Sequence, residues 1–102
     1  MNFINYTPHA IVLNDGRSFE SHGVARVASS HTEIVNNLCQ VVYGEVEGLP
    51  APEADTYYIV SALVLGASSR TDLVAPASGH PLCIRNEKGH IVSVPCFIRG
   101  TL

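Results

Sequence analysis

The chain has 102 residues and a formal net charge of −3, with 46% apolar residues but only 15% charged ones. That length supports one hydrophobic core and excludes two, so we expect a single domain over residues 1–102. So apolar a composition excludes a disordered polypeptide and predicts a homo-oligomer that covers part of the apolar surface. The lack of any Lys/Arg cluster argues against a nucleic-acid polymer as partner.

The sequence also predicts the cellular compartment of the protein and the state of its cysteines. No segment reaches the roughly 18 consecutive apolar residues of a membrane helix, and the N-terminus lacks the basic start of a signal peptide. We therefore expect a cytoplasmic protein without a membrane partner. The cysteines Cys39, Cys83 and Cys96 are widely spaced, which fits neither a disulfide framework nor a zinc motif, and we expect buried thiols.

A hairpin is the first predicted element. Strands over Ala10–Leu13 and Arg17–Glu20 flank an Asn-Asp-Gly turn. Pro8 lacks an amide hydrogen and cannot lie in the middle of a central strand. Residues Asn5–His9 are therefore predicted to form a strand entry or an irregular edge.

Two further strands are predicted before the middle of the chain. Val24–Ala28 and Leu38–Val46 are rich in strand-forming residues, and the polar segment Ser29–Asn37 between them favours a loop or a wide hairpin connection. A loop punctuated by glycine and proline, Glu45–Pro52, then leads into the longest apolar run.

That run, within Thr56–Asp72, is the element around which the rest of the chain is expected to fold. Tyr57–Val60 favours a strand, and Ser61 is placed to cap a short helix over Ala62–Ser69. The helix is apolar on nearly all sides, which predicts that it is buried against a sheet.

The last third of the chain begins with a loop of small residues, predicted over Leu73–Pro81. Leu82–Arg85 and His90–Ile98 then flank Asn86–Gly89, a sequence typical of a type I turn with glycine in the left-handed conformation. This pattern predicts a second hairpin, in which Pro95 marks an edge strand or a bulge.

Together these elements predict an α+β fold. Its sheet is expected to be mainly antiparallel and curled or barrel-like, with one short buried helix, because short strands must cover both sides of that helix. A doubly wound parallel sheet is excluded because it needs more helices than the sequence predicts.

Motifs for chemistry are few. The five histidines lack the paired spacing of metal ligands, so we expect no metal site and no cofactor. The Gly-x-Ser-x-Gly motif of a serine nucleophile does not occur in the sequence, and we assign no catalytic residue. A small hydrolase or lyase remains an alternative.

The first candidate binding segment surrounds Pro8. Asn5, Thr7 and His9 lie close together in sequence and offer an amide, a hydroxyl and an imidazole. They fit a turn that exposes the imidazole, and they equally fit a ligand contact in which His9 stacks on a small molecule or hydrogen-bonds to it.

The second candidate segment contains Ser61, Arg70 and Asp72. One interpretation is a helix cap at one end and a surface ion pair at the other; the alternative is an anion site in which Arg70 forks onto a phosphate or carboxylate. A charge within an apolar strand needs solvent or a partner, so other arginines are candidates too. These arginines are Arg26, Arg85 and Arg99.

Five phrases spread over most of the chain carry a family resemblance: Asn5–Ile11, Gly23–Val27, Gly44–Pro50, Tyr58–Ser61 and Arg70–Leu73. In combination they resemble an uncharacterised family of small proteins encoded by bacteriophages and prophages. Small acidic phage proteins often inhibit host defence, either by occupying a defence protein or by sequestering its nucleotide signal. The resemblance therefore implies an anti-defence role in the cytoplasm of the host cell.

The candidate residues and the resemblance together support one functional hypothesis, a phage-type binding protein that sequesters a nucleotide-derived immune signal. Phosphates need cationic donors, a ribose needs neutral polar groups, and a base needs a flat ring to stack on. The assigned ligand-binding residues are Arg70 and Arg26 for phosphate, Asn5, Thr7 and Ser61 for polar contacts, and His9 or Tyr58 for stacking. The alternatives are a protein–protein inhibitor of a host defence protein and a small hydrolase or lyase.

Overall fold

The computed structural model describes residues 1–100, which form a sheet-rich fold with one short helix. In chain order the elements are β1 (Asn2–Asn5), β2 (Ile11–Val12), β3 (Ser18–Phe19), β4 (Arg26–His31), β5 (Val41–Glu47), β6 (Thr56–Ile59), α1 (Ala62–Ala67), β7 (Leu73–Pro76), β8 (Ile84–Arg85), β9 (Ile91–Ser93) and β10 (Phe97–Arg99).

A four-stranded mixed sheet in the order β1-β6-β7-β10 forms the centre of the fold. β1 runs parallel to β6 and β6 runs parallel to β7, while β10 is antiparallel to β7. α1 connects β6 to β7, so this segment is a compact β-α-β unit. The carboxyl ends of three strands consequently lie at the same edge of the sheet.

The predicted α+β, curled or barrel-like fold is wrong. Strands make up 42% and helix 6% of the described residues, which form no closed barrel. Antiparallel pairing predominates, in four of the six strand pairs, but two of the three pairs in the central sheet are parallel. The parallel pairs involve two strands that local patterns do not mark. Leu73–Pro76 was predicted as a loop because of its small residues and proline, and Asn2–Asn5 precedes the predicted hairpin. Both strands form through pairing with β6, which is distant in sequence from β1.

The helix is only half buried. Val64 and Leu65 face the core, whereas Leu63 is 54% exposed. The predicted cap is confirmed, since Ser61 Oγ accepts a hydrogen bond from the Val64 amide at 3.3 Å. The helix ends at Ala67, two residues earlier than predicted. No helix within residues 1–100 has the length and apolarity that a membrane span requires.

Both predicted hairpins are present. β2 pairs with β3, and β8 pairs with β9. The predicted second arm over His90–Ile98 is too long, because the chain after β9 forms the separate strand β10, which pairs with β7. In the second hairpin the Gly89 amide donates to the Asn86 carbonyl at 2.9 Å and Gly89 has a φ of +80°, as the predicted turn requires. A third hairpin joins β4 to β5, and β4 continues to His31, into the segment predicted to be a loop or a wide hairpin connection. The second of these alternatives is the one the structure has.

The two faces of the central sheet are covered differently. On one face Tyr58, Val60 and Leu73 pack with the helix residues Val64 and Leu65 in a buried cluster. On the other face the β2–β3 hairpin contributes to an aromatic cluster with ring-centroid separations of 4.9 to 6.1 Å. The members of that cluster are Phe3, Phe19, Tyr57 and Phe97.

The prediction of buried cysteines is largely wrong. All three thiols are free, but Cys39 and Cys96 are exposed and Cys83 is half-buried. Cys39 lies beyond β4 in the hairpin connection, and Cys96 directly precedes the edge strand β10. Both positions leave the side chain on the surface.

Candidate functional site

A groove of about 440 Å³ lies at the edge where the parallel strands end. Residues that follow β1, residues that follow β6 and the end of β7 form one side. β2 and β9, with Val94 after β9, supply the rest of the lining. The crevice beyond the carboxyl ends of parallel strands is where open α/β sheets bind their ligands. The groove is lined by Thr7, His9, Ala10, Ile11, Val12, Ser61, Ala62, Pro76, Ser78, Ile91, Val92, Ser93 and Val94.

Asn5 shapes the turn that brings His9 to this groove. The Asn5 side chain is fully buried, and its Nδ2 donates to the carbonyls of His9 at 2.7 Å and Phe19 at 2.9 Å. Its Oδ1 accepts from the Thr7 amide at 2.8 Å and from the Thr7 hydroxyl at 2.6 Å. These four bonds occupy the donors and acceptors of the side-chain amide. Asn5 therefore holds the turn in place, and the buried side chain does not make the predicted contact with a ligand.

Thr7 continues the same network. Its hydroxyl also lies 3.0 Å from the His9 carbonyl, and its own carbonyl accepts from Ser21 Oγ at 2.7 Å. Thr7 is buried at the base of the groove, whereas His9 is exposed at its margin. The turn therefore places His9 at the margin of the groove, with the Thr7 side chain beneath it.

Ser61 enters the groove from the end of β6. It is exposed although it caps the helix. The cap uses one lone pair of Oγ, and a serine hydroxyl keeps one donor hydrogen and a second lone pair. Ser61 can therefore serve both the helix and a ligand.

The opposite wall is apolar and is fixed by long-range hydrogen bonds. Ile91 and Val92 are about half exposed at the groove. Ser93 Oγ donates to Asn14 Oδ1 at 2.6 Å, and Asn14 Nδ2 donates to the Leu82 carbonyl at 2.9 Å. These contacts tie the β8–β9 hairpin to the rest of the fold, so the wall has a defined position before any ligand binds.

Tyr58 and Arg70 lie outside the groove. Tyr58 is 1% exposed, and its hydroxyl donates to the Ala51 carbonyl at 3.2 Å, so its predicted stacking on a ligand is excluded by burial. The Arg70 guanidinium lies 5.5 Å from the centre of that ring. It donates to both carboxylate oxygens of Asp72, at 2.9 and 2.6 Å, and to the Pro50 carbonyl at 3.0 Å.

The pKa directions agree with a structural ion pair. The hydrogen bonds from Arg70 lower the pKa of Asp72, and the same bonds raise the pKa of Arg70. Burial raises the pKa of the Tyr58 hydroxyl beneath them. Arg70 therefore fastens the loop before β7 to the core. The guanidinium that was predicted to bind a phosphate is occupied by the carboxylate of Asp72.

Arg26 is also remote from the groove. It opens β4, is exposed and pairs in register with Glu47 of β5. The structure thus brings together three of the seven predicted residues, Thr7, His9 and Ser61, and separates four from them. The separated residues are Asn5, which lies behind the turn, and Arg26, Tyr58 and Arg70.

Arg85 is the cationic residue beside the groove. From the sequence it is one of three candidate arginines, but it is not among the assigned ligand-binding residues. Its Nη2 donates to the carbonyl of the groove residue Ser78 at 3.0 Å, and its Nη1 donates to the Gly89 carbonyl at 2.9 Å. The sequence signal was a charge within an apolar strand, shared with Arg26 and Arg99. Only the hairpin's position in the fold distinguishes Arg85 from them.

The lining of the groove carries no formal charge when histidine is counted as neutral. The described lining contains no Asp, Glu, Lys or Arg. Hydroxyls, an imidazole and apolar side chains favour a flat, mostly neutral molecule with a few polar edges. Within residues 1–100, no three metal-ligating side chains come together.

Comparisons of the chain with protein-family models, with curated proteins and with solved structures find no match.

Proposed function

We propose that this protein captures a small nucleotide-derived molecule, with the base or nucleoside part lying in the groove. The single observation that carries the proposal is the groove's composition: apolar walls with His9, Ser61 and Ser78 at its polar positions. A volume of about 440 Å³ falls within the range of small-molecule sites. A planar ring with polar edges matches this pattern.

His9 and Ser61 are given distinct parts in binding. The exposed imidazole stacks on the base or hydrogen-bonds to its edge, and the Ser61 hydroxyl donates to an acceptor of the ring or ribose. The apolar side chains of Ile91 and Val92 cover the opposite face of the ring. The Asn5 network holds His9 in place before binding, which lowers the ordering cost of association.

Phosphates are directed out of the groove toward Arg85. Two backbone carbonyls hold its guanidinium beside Ser78, while a guanidinium has five N–H donors in all. The remaining donors are free to form charge-assisted hydrogen bonds to a phosphate at the margin. This arrangement assigns to Arg85 the contact that the sequence analysis assigned to Arg26 and Arg70.

Stoichiometric capture, with release of the ligand unchanged, is the mode of action we propose. The resemblance to phage-encoded proteins supports a role in removing a host immune signal from solution. A small hydrolase or lyase would use the same groove but would return an altered molecule. Incubation with candidate nucleotides, followed by denaturation and mass spectrometry of the recovered ligand, separates the two functions. Recovery of intact nucleotide at one equivalent supports capture, and product that accumulates beyond one equivalent contradicts it.

Calorimetry tests the site with adenosine, ADP-ribose and a cyclic dinucleotide. His9→Ala should weaken binding of each compound by about 1 to 3 kcal/mol, since base stacking is worth that amount. Arg85→Ala should weaken the binding of ADP-ribose by about 1.5 to 3 kcal/mol, roughly tenfold to a hundredfold, and leave the binding of adenosine unchanged.

Arg26→Ala is the matched control, because Arg26 is an exposed strand arginine remote from the groove. It should bind every compound like the parent. Equal losses in Arg26→Ala and Arg85→Ala would contradict the assignment of phosphate to Arg85. If none of the three compounds binds to the folded parent, the proposed ligand class is wrong.

A further inference from the structure

The β4–β5 hairpin projects from the body of the protein. At its base, Ala25 is buried in the core cluster, and Val27 and Val46 pack against that cluster. Beyond the base, every residue from 28 to 45 is exposed. The radius of gyration is 15.4 Å, whereas a compact chain of this length has about 13 Å. We call residues 28–45 the arm.

The arm carries large apolar side chains that the chain itself leaves uncovered. Six of them are between 47% and 75% exposed. They are Ile34, Val35, Leu38, Val41, Val42 and Tyr43. Single exposed apolar residues are ordinary, but a contiguous set on one projection is typical of an interface.

The arm is a hydrogen-bonded hairpin closed by a tight turn. At its end Val35 and Leu38 exchange backbone hydrogen bonds of 2.9 and 3.0 Å. Asn36 and Asn37 have φ angles of +54° and +67°, the left-handed conformation of a type I′ turn. The apolar side chains are therefore held on a preformed surface.

The charge of the arm suits contact with another copy of this chain. Each chain carries a formal charge of −3, so two copies repel one another in general. Residues 34–44, however, contain no charged side chain. This uncharged segment lies between Glu33 and Glu45. Two copies that meet over residues 34–44 consequently do not place like charges directly opposite one another.

The arm also offers an open strand edge. Within residues 1–100, β4 and β5 form a two-stranded sheet with no third strand. β4 is interrupted by a register shift between Val27 and Ser29, whereas β5 continues over seven residues. The outer edge of β5 is therefore the longer regular edge available for pairing.

We propose that β5 pairs with β5 of a second copy, antiparallel across a two-fold axis, and forms a homodimer. The six apolar side chains expose on the order of 600 Å², close to the roughly 800 Å² that each partner contributes to a standard interface. The two-fold arrangement joins two two-stranded arms into one four-stranded sheet. The contact is independent of the groove and of the ligand proposed for it.

Light scattering of the parent and of two matched variants tests the proposal. Val42 is 48% exposed in β5, and Ile98 is 47% exposed in β10, the open edge of the central sheet. Symmetry places both copies of a Val42→Glu substitution in the same interface, so this variant should have the mass of one chain, 10.9 kDa, at 50 µM. The parent and Ile98→Glu should have twice that mass.

A parent that remains monomeric at 200 µM overturns the proposal. The arm would then be a surface for binding a different protein. Dissociation by Ile98→Glu but not by Val42→Glu also overturns it, because the contact would then lie at β10. Hydrogen exchange of the unmodified parent provides a second measurement if Val42→Glu does not fold. Amides of residues 41–47 should exchange more slowly at 200 µM than at 1 µM, and equal rates in a dimeric sample contradict pairing through β5.

Discussion

Asn5 was predicted to contact a ligand, and in the structure it holds the turn beside the groove instead. Its position next to Thr7 and His9 suggested polar groups for a ligand, but all its hydrogen bonds are internal. A sequence does not show which carbonyls a side chain will reach, and the contact with Phe19 spans 14 residues. Exposed His9 and buried Asn5 were therefore indistinguishable before the fold was known.

Asn5→Ala should lower the free energy of unfolding by about 2 to 4 kcal/mol. The substitution leaves the buried Thr7 amide without its acceptor and the Phe19 carbonyl without the Asn5 donor. Each buried unsatisfied group costs about 1 to 3 kcal/mol. Urea denaturation at pH 7 measures the loss. Asn2→Ala, at the exposed start of the same strand, should change the free energy by less than about 0.5 kcal/mol. Equal effects of the two variants would contradict the role given to the Asn5 network.

The ion pair between Asp72 and Arg70 predicts part of the dependence of stability on pH. The pKa of Asp72 is lowered in the folded protein by its hydrogen bonds with Arg70. A carboxyl group whose pKa is lower in the folded state stabilises the protein at pH values above its unfolded pKa, near 3.9. This contribution is lost as the pH falls through the folded pKa. The parent should therefore lose stability between pH 5 and pH 2.

Asp72→Asn removes the carboxylate, so it should lower stability at pH 7 and flatten the loss on acidification. Urea denaturation at pH 7, 4 and 2.5 gives the comparison. Asp15→Asn is a suitable control, because the Asp15–Arg17 pair is mostly exposed and solvent screens it. An acid transition with the same slope in Asp72→Asn as in the parent would contradict this assignment.

At the scale of elements, locally determined features were predictable and long-range pairings were not. Ser61 as a helix cap and the Asn86–Gly89 turn follow from side-chain chemistry within a few residues. Pro76 argues against a strand at β7, because proline lacks the amide hydrogen of a sheet ladder. That residue nevertheless ends the strand, where it interrupts the ladder least. Parallel pairing depends on partners distant in sequence, and no local pattern encodes the partner.

Gly48→Ala should destabilise the end of β5. Gly48 has a φ of +91°, and a Cβ built there would lie 2.5 Å from the Val24 carbonyl oxygen, a contact that requires the backbone to shift. We expect a loss of about 1 to 3 kcal/mol, measured by thermal or urea unfolding. Gly66→Ala in α1 is the opposite control, because its Cβ meets nothing within 4 Å. It should raise stability by about 1 kcal/mol, since alanine favours a helix more than glycine does.

At the scale of the whole molecule, part of the groove was predictable although the predicted fold was wrong. Thr7 and His9 were selected for their polar groups, and Ser61 for its position at the end of a strand. They come together because β1 and β6 run parallel, which places the residues after each strand at one edge. Arg85 could not be singled out, because the β8–β9 hairpin reaches that edge only through tertiary contacts.

The most direct test of the groove as the binding site is a nuclear magnetic resonance titration of the isotopically labelled protein. Adenosine, ADP-ribose and a cyclic dinucleotide are added in turn while backbone amide shifts are followed. We predict that the shifts concentrate at Thr7, His9, Ser61, Ser78 and Val92, with Arg85 joining them only for phosphorylated compounds. Shifts that concentrate instead around Arg26 or Arg70, or saturating amounts that move no groove amide, would contradict the proposed site.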